Sequence, residues 1–302
     1  MTAAAIRVDG LTKYYGPVVG VEDLSFDVDR GAIYGFLGPN GAGKTTTIRL
    51  LLDLLRPSRG AASVLGFDCQ KASLESRRQI GYLPGELPVY PDLTAARYLD
   101  YLAHVDDRPV PPAYLSSLLK RFDVSDLDLR RRLRDQSHGM KRKIGIVQAL
   151  MTRAPVVILD EPTAGLDPLM VEAFRETIDD LRKAGETTVF LSSHVLAEVE
   201  STCDRIGLIR AGKMVTVGTM DELRRTSPRR VVIELAAPVS GGPPEVAGVT
   251  TISATPQRWV LEVRGPLGPL VRALHALPVH DLQAESFKLE DYVMPFYESS
   301  GH

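Results

Sequence analysis

The chain has 302 residues, of which 44% are hydrophobic and 25% are charged, and its formal net charge is −2. This length allows about two globular domains of roughly 150 residues, and the absence of a basic excess argues against a general nucleic-acid binder. Two cysteines are too few for a disulfide framework, and neither a signal peptide nor an apolar run of about 18 residues is found, so we expect a soluble, cytosolic protein.

Up to about residue 225, short β-rich runs alternate with helical stretches. Gly16 and Pro17 predict a turn between the first two runs. Residues 46–55 carry leucine and isoleucine at helical spacing, and Pro57 stops the pattern. Buried runs of four or five residues separated by helices predict a parallel sheet with helices on both faces. The predicted strands are residues 6–8, 24–28, 33–37, 156–159 and 188–191.

The middle of the chain is mainly helical in pattern, and the end has a different texture. We predict a helical subdomain at about 86–153 within a first domain, residues 1–225. Proline and glycine then punctuate short strand-like runs, which predict a small α+β domain at 226–302. Its predicted elements are strands at 231–235 and 259–263 and a helix at 270–277.

Residues 38–45 match the phosphate-loop pattern G-x-x-x-x-G-K-[ST] between a predicted strand and a predicted helix. Backbone N–H groups and a helix N-terminus suit a polyphosphate. Lys44 would reach the β- and γ-phosphates of a nucleotide, and Thr45 would offer a hydroxyl to Mg²⁺. A glycine-rich turn with a surface lysine is the alternative. The candidate nucleotide-binding residues are Gly38, Pro39, Asn40, Gly41, Ala42, Gly43, Lys44, Thr45 and Thr46.

Asp160 and Glu161 follow an apolar strand, where a second carboxylate site belongs in a phosphate-loop NTPase. Asp160 would hold Mg²⁺ directly or through water, and Glu161 would polarise an attacking water. A pair of helix-capping acids is the alternative.

Further motifs carry a family resemblance. Residues 161–168 resemble the stretch from the Walker B glutamate through the D-loop of ATP-binding-cassette (ABC) ATPases, and residues 136–140 lie where that family has its signature sequence. His194 stands at the position of the switch histidine, and Tyr15 matches the aromatic residue that stacks on adenine. The chain therefore resembles the ATPase subunit of a bacterial ABC transporter, and residues 287–293 are similar to the tail of drug- and antibiotic-export subunits.

The resemblance implies an α/β fold: a phosphate-loop NTPase core of ABC type with an N-terminal antiparallel β part. It also implies that two copies face each other head to tail around two ATP molecules. Ser137 and Gly139 of one copy would then contact the γ-phosphate held by the other. Glu161 would act as the base, His194 would contact the γ-phosphate, and Asp167 would communicate across the dimer.

Two departures from the family pattern stand out. Gln136, His138 and Met140 replace the usual Leu, Gly and Gln of the signature. Gly85 stands where the family places a glutamine that senses Mg²⁺ and contacts the membrane subunit, and Glu86 follows it. Either the Glu86 carboxylate substitutes for that glutamine, or it faces solvent and water fills the metal's position.

A basic run precedes and enters the helix after the signature, and we expect it to be a solvated surface, with phosphate attraction or a membrane-side contact as the alternative. The run comprises Arg130, Arg131, Arg132, Arg134, Lys141, Arg142 and Lys143.

The sequence thus predicts an ATP-hydrolysing subunit that powers a membrane exporter and is peripheral on the inner face of the membrane. Its expected partners are a separate transmembrane permease subunit and a second ATPase copy, without nucleic acid. One alternative is a soluble ABC ATPase acting on ribosomes or DNA, but those resemble two cassettes or a cassette with a coiled coil. Another is a nucleotide-binding regulator without turnover.

Overall fold

The computed structural model describes residues 4–87, 90–106, 108–226 and 228–285, together with Leu289 and Val293. The chain divides into two compact units, Met1–Val217 and Gly218–His302. The second unit begins a few residues before the predicted boundary at 226.

The strands that begin in the first unit are β1 Ala4–Tyr15, β2 Val18–Asp29, β3 Ile33–Leu37, β4 Arg59–Val64, β5 Phe67–Asp68, β6 Ile80–Leu83, β7 Val156–Asp160, β8 Thr188–Ser193, β9 Arg205–Arg210 and β10 Lys213–Thr219. The helices of this unit are α1 Lys44–Leu51, α2 Ser73–Arg77, α3 Ala95–Val105, α4 Pro112–Arg121, α5 Asp126–Arg130, α6 His138–Leu150, α7 Pro168–Ala184 and α8 Leu196–Thr202, with a 3₁₀ turn at Leu133–Asp135.

The parallel sheet predicted from the apolar runs is confirmed. Within the described ranges its strand order is β10-β9-β3-β8-β7-β6, and the pairs β9–β3, β3–β8, β8–β7 and β7–β6 are parallel. Every residue of β3, β7 and β8 is buried, as expected for strands covered on both faces. The carboxyl ends of these three strands therefore meet at one edge of the sheet.

The N-terminal sheet is antiparallel, with strand order β2-β1-β4-β5 in the described residues. The predicted turn at Gly16 and Pro17 joins β1 to β2. Phe26 of β2 stacks on Tyr34 and Phe36 of β3 at ring-centroid distances of 5.6 Å. This aromatic packing fixes the antiparallel sheet against the strand that leads into the phosphate loop.

Helix α1 ends at Leu51, earlier than the predicted end at residue 55. The amides of Leu54 and Leu55 both donate to the carbonyl of Arg49, at 2.9 and 3.2 Å, and Asp53 has a left-handed φ of 52°. This turn closes the last carbonyls of the helix before Pro57 is reached.

The region predicted to be helical contains α3 to α6, and polar caps define several of these helices. The hydroxyl of Thr94 accepts from the amide of Arg97 at the start of α3. Ser125 and Asp128 form a reciprocal capping box on α5. None of the helices in the described residues is long and apolar enough to span a membrane.

The second unit has its own core around Trp259, which is fully buried. The antiparallel strand order in its described part is β12-β13-β11-β14. Of the tail-like residues 287–293, only Leu289 and Val293 are among the described residues, and both are buried. The elements of this unit are α9 Met220–Thr226, β11 Arg229–Leu235, β12 Val249–Ala254, β13 Arg258–Val263, α10 Gly268–Leu274 and β14 Val279–Ala284.

Candidate functional site

The phosphate-loop sequence forms a tight loop between β3 and α1. Gly43 has a φ of 111°, and a Cβ there would lie 2.8 Å from the carbonyl oxygen of Gly20. At Gly38, a Cβ would lie 2.4 Å from the carbonyl oxygen of Ile209. Both positions therefore require glycine, and the close packing holds the loop against its neighbours.

Lys44 begins α1 and crosses its own loop. Its side chain is only 6% exposed, and its Nζ donates to the carbonyl oxygens of Gly38 at 2.7 Å and Pro39 at 3.3 Å. The same Nζ lies 3.0 Å from Oε1 of Glu161. The loop lysine and the predicted catalytic carboxylate are therefore an ion pair in this structure, at the mouth of the loop.

Asp160, at the end of β7, is 1% exposed and hydrogen-bonded through both carboxylate oxygens. Its Oδ2 accepts from the hydroxyl of Thr45 at 2.9 Å, and its Oδ1 accepts from the hydroxyl of Ser192 at 2.5 Å. Thr45 and Asp160 thus place a hydroxyl and a carboxylate side by side, and such oxygen donors fit Mg²⁺. Sequence reasoning missed Ser192, although its position at the end of the strand beside β7 was visible.

Glu161 is held in a left-handed conformation, with φ of 51°. Its amide donates to the carbonyl oxygen and the hydroxyl of Ser192, at 3.2 and 3.1 Å. Its Oε2 lies 2.7 Å from Nδ1 of His194. A non-glycine residue in this region costs about 1 kcal/mol or more and persists where its surroundings fix it, which is typical of active sites. The structure thus brings the two predicted catalytic residues into contact.

A cleft of about 350 Å³ joins the predicted adenine aromatic to the phosphate loop. Tyr15 is 43% exposed and forms one wall. Val18, Val19 and Gly20 continue that wall, while residues 40–46 and Glu161 line the rest. The volume lies in the range of small-molecule sites, and one cleft holds apolar, phosphate-loop and acidic groups together.

Seven predicted site residues are not among those that line this cleft in the described part of the chain. Gly38, Pro39, Asp160 and His194 each contact a residue that lines it. The other three are Ser137, Gly139 and Asp167. Ser137 caps α6 by accepting from the amide of Met140 at 3.1 Å, and Gly139 lies in the first turn. Asp167 caps α7 by accepting from the amide of Met170 at 3.0 Å. Their assignment to the nucleotide site of a second copy remains a prediction.

The prediction that the basic run forms a solvated surface is wrong for one of its residues. Arg130, Arg131, Arg132 and Arg134 are exposed, but Arg142 is 2% exposed. Its guanidinium donates to backbone carbonyls of residues 84–85 and 160–162 rather than to solvent. The burial of Arg142 could have been predicted from helical spacing, because Arg142 shares a face of α6 with the buried Ile146 and Ala149.

Gly85 lies against the Asp160 carboxylate. A Cβ at position 85 would be 3.2 Å from Oδ2 of Asp160, so a side chain there would require that carboxylate to shift. Glu86 is exposed and lines a second cavity, of about 500 Å³, together with Thr45 and Asp160. The carboxylate after Gly85 therefore borders the same cavity as the two candidate metal ligands.

Comparison with known proteins gives concordant matches. The family model described as ABC transporter matches residues 21–164. The daunorubicin resistance ATP-binding protein DrrA3 of Streptomyces coeruleorubidus is 35% identical over 301 residues, which cover 97% of this chain and 93% of the relative. The bacitracin transport ATP-binding protein BcrA of Bacillus licheniformis is 36% identical over 231 residues, which cover 76% of this chain and 75% of the relative.

Solved structures agree on the fold. The ATP binding subunit of an ABC transporter matches with a TM-score of 0.67 and 34% identity, covering 73% of this chain and 92% of the other. A dimeric, post-hydrolysis cassette named MJ0796, bound to ADP and Pi, matches with a TM-score of 0.64 and 18% identity, covering 71% of this chain and 98% of the other. The ABC-type fold expected from the motifs is confirmed.

Proposed function

Because the chain belongs to the ABC transporter family as an ATP-binding subunit, we propose that it powers the export of a drug, an antibiotic or another small or hydrophobic molecule. The chain is an ATPase of this family. The export proposal is supported by relatives named for daunorubicin resistance and bacitracin transport. These relatives give no support to the alternative of an ATPase that acts on ribosomes or DNA.

The convergence of Lys44, Glu161 and His194 at one end of the cleft is the observation that carries the chemistry. When ATP enters, Lys44 exchanges its contact with Glu161 for the β- and γ-phosphates, so that the carboxylate becomes available to an attacking water. Glu161 then orients and polarises that water, while His194 donates toward the γ-phosphate. Phosphoryl transfer depends chiefly on such positioning and charge stabilisation.

Thr45 and Asp160 would hold Mg²⁺, since their oxygens already lie 2.9 Å apart. The ion would neutralise the charge that develops on the β- and γ-phosphate oxygens. Ser192 keeps the Asp160 carboxylate oriented through the 2.5 Å hydrogen bond to Oδ1.

The proposed working unit contains two copies of the chain and a separate transmembrane permease subunit, on the cytoplasmic face of the membrane. Ser137 and Gly139 sit at the N-terminus of α6, which favours an anion. In a head-to-tail dimer this end of α6 would contact the γ-phosphate held by the other copy, and Asp167 would lie at the same interface. Loss of the γ-phosphate removes that contact and lets the copies separate.

The partner proposal is tested by purifying the chain with a candidate transmembrane subunit, sought first among the proteins encoded by neighbouring genes, and measuring ATPase activity with daunorubicin or bacitracin. A stable complex whose ATPase activity rises with at least one of them supports the proposal. Failure to form a complex, together with stimulation by ribosomes or DNA, would favour the alternative.

Deleting residues 226–302 is expected to change ATP affinity less than twofold. The phosphate loop, Tyr15 and the Asp160–Glu161 pair all lie in the first unit, and the second unit has its own core. Titration with a fluorescent ATP analogue measures the effect. A large loss of affinity in a truncated chain that retains its helical circular dichroism would show that the second unit supports the nucleotide site.

Glu86→Ala is expected to raise the Mg²⁺ concentration needed for half-maximal ATPase activity, because a carboxylate is a good oxygen ligand and Glu86 borders the cavity of Thr45 and Asp160. Glu86→Gln should recover part of the loss through its amide oxygen. Mg²⁺ titrations at saturating ATP compare the three proteins. Superimposable curves for Glu86→Ala and the wild type would exclude a metal role for this side chain.

A further inference from the structure

The guanidinium of Arg142 is hydrogen-bonded to the backbone of two segments, residues 84–85 and 160–162. Its Nη1 donates to the carbonyl oxygens of Pro84 at 2.8 Å and Gly85 at 3.0 Å. Its Nη2 donates to the carbonyl oxygens of Asp160, at 2.5 Å, and of Glu161, and its Nε donates to that of Pro162 at 3.1 Å. All five N–H donors of an arginine are therefore accounted for by backbone acceptors.

Among the described residues Arg142 has no direct ion-pair partner, and its charge is balanced from a distance. Burial lowers the pKa of the guanidinium, and the nearby Asp160 and Glu161 carboxylates act in the opposite direction. A guanidinium remains charged even when its pKa is lowered. A buried cation thus lies near the Asp160 and Glu161 carboxylates, where the low dielectric strengthens its effect.

The contacts fix the backbone of Glu161 from both sides. The amide of Glu161 is held by Ser192, and its carbonyl oxygen is held by Arg142. Between these two anchors lies the left-handed φ of 51°. An energetically unfavourable conformation persists only where its surroundings determine it. Here it is held by Ser192, at the end of β8, and by Arg142.

Arg142 also lies about one turn from the start of α6, the helix that begins at the Ser137 cap. The same side chain therefore connects the helix end assigned to the other copy's nucleotide with the backbone that carries this copy's Glu161. We propose that Arg142 is a positioning residue for hydrolysis: it holds Glu161 in its working orientation and ties that orientation to α6. This proposal rests on the function proposed above.

The test uses the full chain with its membrane partner and compares Arg142→Met, Arg142→Lys and the control Arg131→Met, which alters an exposed arginine of the same basic run. In Arg142→Met we expect kcat to fall roughly tenfold to a hundredfold, because small misplacements of a catalytic group have effects of this size. The Kd of a fluorescent ATP analogue should change less than twofold, because the five hydrogen bonds of the Arg142 guanidinium go to residues 84–85 and 160–162 and not to Lys44 or the phosphate loop. Arg131→Met should match the wild type in both quantities.

Arg142→Lys keeps the charge but presents three donors from one nitrogen, so it should retain folding and lie between wild type and Arg142→Met in kcat. It decides the question if the methionine variant does not fold. Hydrogen–deuterium exchange of the peptide containing residues 160–163 supplies a readout independent of turnover, and this peptide should exchange faster in both Arg142 variants. A kcat within twofold of wild type in Arg142→Lys, with unchanged exchange, would overturn the proposal, as would a loss of ATP affinity as large as the loss of kcat.

Discussion

Glu161→Gln is expected to bind ATP with wild-type affinity and to lower ATPase turnover by roughly 10²- to 10⁴-fold, the usual contribution of a positioned acid–base group. The amide that replaces the carboxylate can still fill the space between Lys44 and His194, but it cannot polarise a water as a base. Neither the phosphate loop nor the Thr45–Asp160 pair is altered.

A second consequence of Glu161→Gln is an ATP-bound dimer that does not open, because the γ-phosphate that joins the copies is no longer removed. Size-exclusion chromatography with ATP and Mg²⁺ should show this dimer, and steady-state hydrolysis in the presence of the membrane partner measures turnover. Glu75→Gln, which changes an exposed carboxylate on α2, serves as the control. Near-normal hydrolysis by Glu161→Gln would remove Glu161 from the role of base.

Lys44→Ala is expected to impair ATP binding, which precedes hydrolysis, and to lower ATP affinity at least tenfold. A charge-assisted hydrogen bond contributes about 1.5–3 kcal/mol, and Lys44 supplies the cation nearest the loop that would receive the β- and γ-phosphates. The substitution also leaves the loop carbonyls of Gly38 and Pro39 without their buried donor.

Fluorescent ATP titration of the isolated chain measures the effect of Lys44→Ala directly. Lys71→Ala removes an exposed lysine that lies 4.0 Å from Asp68, and it should leave affinity unchanged. Equal affinities for Lys44→Ala and the wild type would show that another group binds the phosphates.

Much of the candidate site could be predicted from the sequence because its residues follow buried strands. Gly38 and Asp160 come directly after an apolar run, His194 follows another run after two serines, and the carboxyl ends of parallel strands meet at one sheet edge. The parallel order itself followed from runs buried on both faces. The ion pair of Lys44 with Glu161 could not be predicted in this way, since it depends on how far the two side chains reach across the loop.

The residues that sequence reasoning missed have physical explanations. Arg142 lies within a run of basic residues whose other arginines are exposed, so composition indicated a solvated surface, whereas the helical phase places it on the buried face of α6. Strand β12 was missed because it is an edge strand of the second unit, and nearly all its residues are exposed. Such a strand carries little apolar signal.

The most direct test of the account measures drug transport rather than hydrolysis alone. Inside-out membrane vesicles containing the chain and its membrane partner are incubated with ATP, Mg²⁺ and daunorubicin, and drug uptake is followed over time. We expect ATP-dependent uptake that disappears in Glu161→Gln and persists in Glu75→Gln. ATP hydrolysis at wild-type rates without ATP-dependent uptake of daunorubicin, bacitracin or other hydrophobic drugs would contradict the export function.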